Sequence, residues 1–255
     1  MCLIFLSYRN HQTYKLIIAA NRDEFYQRKT APASFWVDQP NILGGRDLEA
    51  SGTWMAMNKN GKISMVTNYR DPLNINPNAP SRGQLVSDYL LNGFHPKEYL
   101  KSVEANGKAY NGFNLVVGSS DELFYYSNYK RAIEEIQPGL HGLSNQLLNT
   151  PWPKVIHGKE KMKVLLASAE TDPIKLFDLL YDDSKAPDEK LPETGVGLER
   201  ERMLSSMFIK SPNYGTRCST VVMIDHANNV YFSERVYDLN TFAYSSNVFK
   251  FKISS

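Results

Sequence analysis

The sequence predicts an α+β fold built mainly from antiparallel sheets. Hairpin-like pairs of strand segments cluster at both ends and in the middle of the chain. Helical periodicity falls in two blocks between them. The first strand, residues 2–8 (CLIFLSY), is apolar along both faces, which places it inside a sheet covered on both sides. Two packed sheets with helices outside satisfy that demand. No internal repeat or low-complexity tract is evident.

Residues 14–20 (YKLIIAA) read as the partner of the first strand across the polar turn Arg9-Asn10-His11-Gln12-Thr13. With Tyr8 facing Tyr14, Cys2 lies opposite Ala20, beside Asn21-Arg22-Asp23-Glu24 at a strand end. Residues 25–39 show no periodicity and read as an irregular loop. Gly44 and Gly45 mark either a plain turn or a close approach of chain or ligand. A second hairpin pairs residues 54–57 with 63–67 across Asn60-Gly61, and a proline-rich loop follows.

Ser81 begins a helix with Leu85, Tyr89 and Leu90 on one face, and a second helix covers residues 96–105. Strands are expected at 113–117, 123–126 and 134–136, and the short segment 139–145 ends in Ser144-Asn145. Helices are expected at 151–167, 173–181 and 198–208, with a charged loop over 182–193. Strands at 218–224, 230–236 and 243–253 close the chain as a meander.

The chain has 255 residues and a net charge of +2, with no run of five like charges, which disfavours nucleic acid as a partner. Its two cysteines, Cys2 and Cys218, make no disulfide framework, and no Cys/His cluster has metal-ligand spacing, so no metal is expected. The first residues lack the basic start and length of a signal peptide, and no apolar run approaches the roughly 18 residues of a membrane span. A cytoplasmic location without an integral membrane segment is therefore expected.

From the residues alone, Cys2 is either a small buried apolar side chain or a nucleophile. The second reading needs Met1 removed, which a small second residue permits. The α-amine of Cys2 then has a pKa of roughly 7.7–8.0 and serves as general base for its own thiol. Such a site also needs a carboxylate or amide to hold the amine and an oxyanion donor. Arg22 can lower the thiol pKa and Asp23 can hold the amine. Asn68 and Asn145, at apparent strand ends, can supply oxyanion or substrate contacts, though Asn there is also a common turn residue. Arg217 can take a substrate carboxylate or brace the site, and Arg22 with Asp23 or Glu24 can equally be a structural ion pair.

Asn21-Arg22-Asp23-Glu24, Gly44-Gly45-Arg46-Asp47, Gly52-Thr53-Trp54, Thr67-Asn68-Tyr69-Arg70, Gly142-Leu143-Ser144-Asn145 and Gly215-Thr216-Arg217 together resemble the NRDE family. That family includes the transport and Golgi organisation protein 2 homologues. It in turn is similar to the cysteine-type N-terminal nucleophile hydrolases, such as choloylglycine hydrolase and penicillin V acylase. The resemblance implies one domain over residues 1–255 with an αββα four-layer sandwich. It implies a thiol-dependent hydrolase or acyltransferase acting on non-peptide C–N bonds of a small acyl-bearing substrate, without a cofactor. Catalytic roles then fall to Cys2, Arg22, Asp23, Asn68, Asn145 and Arg217, and substrate contacts to Asn21, Glu24 and Tyr69. In those hydrolases the Arg and Asp are separated, whereas here they are adjacent, so Asp23 or Glu24 holds the amine. The family also implies a competing reading, a haem, lipid or acyl-CoA carrier with a disused hydrolase pocket.

Overall fold

A computed structural model describes residues 2–254. Strands β1 (Cys2–Tyr8) and β2 (Tyr14–Phe25) form the expected hairpin in a different register. Cys2 lies opposite Arg22 rather than Ala20, and Tyr8 opposite Leu16. The turn explains the shift. Arg9 adopts φ 45° and its N–H donates to the Lys15 carbonyl at 2.7 Å, so these two residues close the loop. A shift of two positions keeps every side chain on its expected face. It also carries β2 through Asn-Arg-Asp-Glu, which is strand rather than strand end.

The segment expected to be irregular contains β3 (Thr30–Phe35), followed by β4 (Ile42–Asp47). Pro32 hides β3 from a sequence reading. It is tolerated because β3 is an edge strand whose pairing to β4 skips between Ala31 and Ser34. Gly44 lies within β4, not in a turn. A Cβ there would meet the Ala56 Cβ at 2.6 Å, so the glycine admits the close approach of β5 (Met55–Asn58).

The remaining elements follow the expected order. They are β6 (Ile63–Asn68), α1 (Arg82–Leu91), α2 (Pro96–Asn106), β7 (Phe113–Gly118), β8 (Leu123–Ser127), β9 (Ala132–Glu135) and β10 (Gly139–Leu143). Then come α3 (Pro153–Leu165), α4 (Pro173–Leu180), α5 (Leu198–Leu204), β11 (Tyr214–Asp225), β12 (Asn229–Tyr237) and β13 (Tyr244–Lys252). Ser81 caps α1 by accepting the Gly83 N–H, as its position before the apolar stripe predicts. Helix α5 stops at Leu204, short of the expected residue 208; beyond it the Phe208 N–H turns to the Asp182 carbonyl at 2.8 Å.

Two antiparallel sheets result, ordered β10-β1-β2-β11-β12-β13 and β3-β4-β5-β6-β7-β8-β9. Alternation along β1 shows how they stack. Ile4, Leu6 and Tyr8 join Leu43, Met57, Met65 and Val116 of the other sheet in a core between the two. Leu3 and Phe5 point the other way, against Val155 and Met162 of α3 and Leu176 and Phe177 of α4. On the outer face of the second sheet, Leu115 and Val117 pack against Leu85 and Tyr89 of α1 and Leu100 of α2. Helix, sheet, sheet and helix therefore form successive layers around three apolar cores, each large side chain contributing about 1.5–3 kcal/mol on burial. At one end the inner-face positions turn polar: Ile4 gives way to Cys2, Ala20 to Arg22, Val222 to Thr220 and Cys218, and Phe232 to Glu234.

Candidate active site

That polar end opens into a cavity of about 530 Å³. Cys2, Arg22, Asp23, Glu24, Asn68 and Arg217 all line it. Cys2 stands at the first position of the buried strand β1. Burial pushes its thiol above the ordinary range; Asp23 adds to the rise, and Arg22 pulls the other way. The expected lowering by Arg22 is thus present but outweighed by desolvation.

Arg22 is paired with Cys2 through β1 and with Cys218 through β11, so one guanidinium stands between two thiols. It approaches Glu24 only to 4.0 Å, and Glu24 also accepts the Phe25 N–H at 2.8 Å. Asp23 is paired with Thr216, whose hydroxyl donates to Asp23 Oδ1 at 2.7 Å. Burial raises the Asp23 carboxyl, and Lys154 is the strongest influence opposing it. Immediately after Thr216 the β2–β11 register slips, leaving Arg217 as the bulged residue. The bulge re-aims Arg217, and its Nη1 donates to the carbonyls of Phe25, Tyr26 and Arg28 at 3.0, 2.9 and 2.6 Å. Its observed work is to brace the chain leaving β2.

Asn68 ends β6 and lines the cavity. Asn145 does not reach that wall. It is fully buried, and its Nδ2 donates to the Asn68 carbonyl at 3.0 Å while its own carbonyl accepts the Arg70 N–H at 2.7 Å. The neighbouring Ser144 hydroxyl reaches the Cys2 carbonyl at 3.4 Å. Asn145 therefore stands behind Asn68 and Cys2. Asn21 and Tyr69, expected to meet substrate, also lie off the cavity. Strand alternation turns Asn21 toward the helices, where its Nδ2 donates to the Leu180 and Met207 carbonyls at 2.8 and 2.9 Å. Tyr69 stacks on Tyr129 with ring centroids 3.8 Å apart.

Several charged groups at the site have no counterpart in the sequence expectations. Lys154, in the first turn of α3, is buried, and its Nζ donates to the Leu204 carbonyl at 2.9 Å. Desolvation lowers it to about 8, against the pull of the Asp23 carboxylate. Arg70 donates to Glu201 at 2.6 Å in a buried pair and lies over the Trp152 ring at 4.6 Å. Glu234 lines the cavity beside Cys218, accepts the Ala33 N–H at 2.6 Å and is raised by burial. Only Arg70 lay within a recognised motif. Lys154 and Glu201 sit on charge-rich helical stretches where nothing marks them as buried. Among the described residues, no group of three or more His, Cys, Asp or Glu side chains is placed to hold a metal. No helix among them is long and apolar enough to cross a membrane.

The chain thus sets a cysteine at the start of the first strand of a helix–sheet–sheet–helix sandwich, on the wall of a polar cavity. The fold is similar to the C2A mutant of conjugated bile acid hydrolase from Clostridium perfringens, with a TM-score of 0.53, 10% identity, and coverage of 100% of this chain and 97% of that one. A second variant of the same enzyme gives a TM-score of 0.51 at 10% identity, covering 100% and 98%. By sequence, the chain belongs to the Transport and Golgi organisation 2 family, whose pattern matches residues 1–239. It is 34% identical over 279 residues to the Transport and Golgi organization 2 homolog of Mus musculus, spanning 100% of both chains. The Homo sapiens homolog is 34% identical over 278 residues, again spanning 100% of both. Transport and Golgi organization protein 2 of Drosophila melanogaster is 32% identical over 266 residues, spanning 92% of this chain and 91% of that one.

Proposed function

We propose that the chain is a thiol-dependent hydrolase or acyltransferase acting on the amide C–N bond of a small acyl-bearing substrate. Cys2 is its nucleophile after removal of Met1, a residue that lies outside the described ones. One observation carries the reading: Cys2 borders a 530 Å³ cavity in register with Arg22, with Asp23 and Asn68 on the same walls. The volume suits a small-molecule substrate. The cysteine hydrolase fold supports the same chemistry.

In this mechanism the free α-amine of Cys2 takes the thiol proton, directly or through a water. The thiolate attacks the amide carbonyl carbon, and the carbonyl π electrons move to oxygen, where the Asn68 side-chain amide receives the charge. Collapse of the tetrahedral intermediate breaks the C–N bond. The departing amine takes the proton held by the Cys2 ammonium, leaving a thioester on Cys2. Water, or another nucleophile in an acyl transfer, releases the acyl group and restores the thiol. Asp23 holds the amine; the Glu24 carboxylate already accepts the Phe25 N–H.

The test is an intact-mass experiment. Protein starting at Cys2, mixed with N-acyl amides, is expected to gain an acyl mass that Cys2→Ala abolishes. Retention of Met1 on all protein from its native host would sink the amine mechanism. A saturable haem absorbance shift with no acyl adduct would favour the carrier reading instead.

A further inference from the structure

We propose that the cavity takes a substrate bearing an oxyanion group, a carboxylate or a phosphate, and that Arg82 is the residue that pairs with it. Five arginines line the cavity: Arg22, Arg28, Arg46, Arg82 and Arg217. Three of them are occupied by the protein. Arg28 meets Asp47 at 2.6 Å, and Arg46 is ion-paired with Asp38. Arg217 is spent on three backbone carbonyls. Arg22 approaches Glu24 only to 4.0 Å, but it stands between the two thiols, at the reacting end of the cavity.

Arg82 differs. Its Nη1 donates to the Gly112 carbonyl at 3.0 Å, and among the described residues no carboxylate lies within ion-pairing distance of it. The acidic groups of the cavity are engaged elsewhere: Asp47 with Arg28, Glu24 with the Phe25 N–H, Asp23 with Thr216, and Glu234 with the Ala33 N–H. A guanidinium carries five N–H donors in a planar fork suited to bidentate oxyanions. Arg82 is half-buried, and partial burial of a guanidinium without a counter-charge carries a cost that an anionic partner from outside the chain would offset. Desolvation lowers Arg82 in agreement, and Glu24 is the strongest influence opposing that.

The cavity also has room and surface for the acyl half. Pro32, Trp54, Val66, Val236 and Leu239 give it apolar walls. A ligand apolar at one end and anionic at the other matches both. The proposal builds on the hydrolase reading for the reacting bond, but its test measures binding without turnover.

The experiment uses the Cys2→Ala protein and isothermal titration with two matched pairs. One pair is N-dodecanoylglycine against neutral N-dodecanoylglycinamide. The other is N-dodecanoyl-O-phosphoethanolamine against neutral N-dodecanoylethanolamine. In at least one pair the anion is expected to bind about tenfold tighter or more, the size of a charge-assisted hydrogen-bonded pair. The pair with the larger gap identifies the oxyanion. Arg82→Gln is expected to erase that gap while leaving the neutral ligand within about threefold, and Arg82→Lys to keep part of it. Equal binding within both pairs overturns the proposal, as does a gap that survives Arg82→Gln. If Arg82→Gln fails to fold, the comparison in the Cys2→Ala parent and in Arg82→Lys still decides. Loss of the hydrolase reading would appear separately, as no acyl adduct on unmutated Cys2, and would leave an Arg82-dependent gap standing.

Discussion

Arg22 faces Cys2 on one neighbouring strand and Cys218 on the other, yet the two thiols do not share one environment. Burial raises both, but Cys218 also has Glu234 beside it, which pushes it further up. Arg22 opposes the rise at each. Alkylation by iodoacetamide is therefore expected at Cys2 well before Cys218. Arg22→Gln should move the pH midpoint of Cys2 alkylation upward and slow the reaction near neutral pH by about tenfold, the lower end for loss of a nearby opposite charge. Peptide mass spectrometry across a pH series reads both residues. An unchanged midpoint would mean that Arg22 does not reach the thiol.

The two asparagines carried over from sequence separate by depth, and their substitutions should separate too. Asn68 borders the cavity, whereas Asn145 is buried and holds the Asn68 carbonyl. Asn68→Ala is expected to leave stability within about 0.5 kcal/mol and to cut turnover by roughly 10²–10³, the usual loss of an oxyanion donor. Asn145→Ala removes the donor to the Asn68 carbonyl and the acceptor of the Ser144 hydroxyl, and should cost about 1–3 kcal/mol in urea unfolding. Equal stability of the two variants would contradict this division.

Lys154 gives a pH dependence with a defined sign. Its folded-state value is lowered to about 8, below the ordinary lysine value of about 10.4. Between those values the unfolded chain holds the proton that the folded chain has released, so stability rises with pH there. As pH falls through 8 that contribution is lost. Asp23, raised by burial, runs oppositely: its contribution is full below about pH 3.9 and is lost as pH rises through its folded value. Relative to Lys154→Met, the unmutated protein is expected to gain roughly 1–2 kcal/mol between pH 7.5 and 9.5. Urea melts at the two pH values measure it, and a constant difference would exclude the shift.

Much of this was legible in the sequence because alternation is a local property. Ile4, Leu6, Leu3 and Phe5 declare a strand buried on both faces before any partner is known. Cys2 and the motif residues Arg22, Asp23, Asn68 and Arg217 all line one cavity. Register was not legible, since one turn residue, Arg9 at positive φ, decides whether Cys2 meets Ala20 or Arg22. Nor was depth: Asn21, Asn145 and Asn68 look alike as residues, but strand parity and packing bury the first two. Lys154 escaped because helices α3 and α5 bury it only after the chain returns from residues 154 to 204.

Helix α3 also shows how packing at a distance fixes the site. Gly158 lies four residues after Lys154, one turn along the same helix face. A Cβ at Gly158 would fall 1.9 Å from the Phe5 ring, so the glycine lets α3 settle directly on β1. Phe5 is itself fully buried. Gly158→Ala must therefore lift the helix, despite the better helix propensity of alanine, and the balance is expected to be a loss of about 1–3 kcal/mol. Lifting α3 also draws Lys154 away from Asp23, so the variant should lose turnover while its cavity-lining residues are unchanged. Phe5→Leu, introduced beside Gly158→Ala, makes room for the methyl group and is expected to restore part of both losses. Thermal unfolding and turnover of the two single variants and the double variant form a cycle. Strict additivity in that cycle would show that the helix does not rest on Phe5.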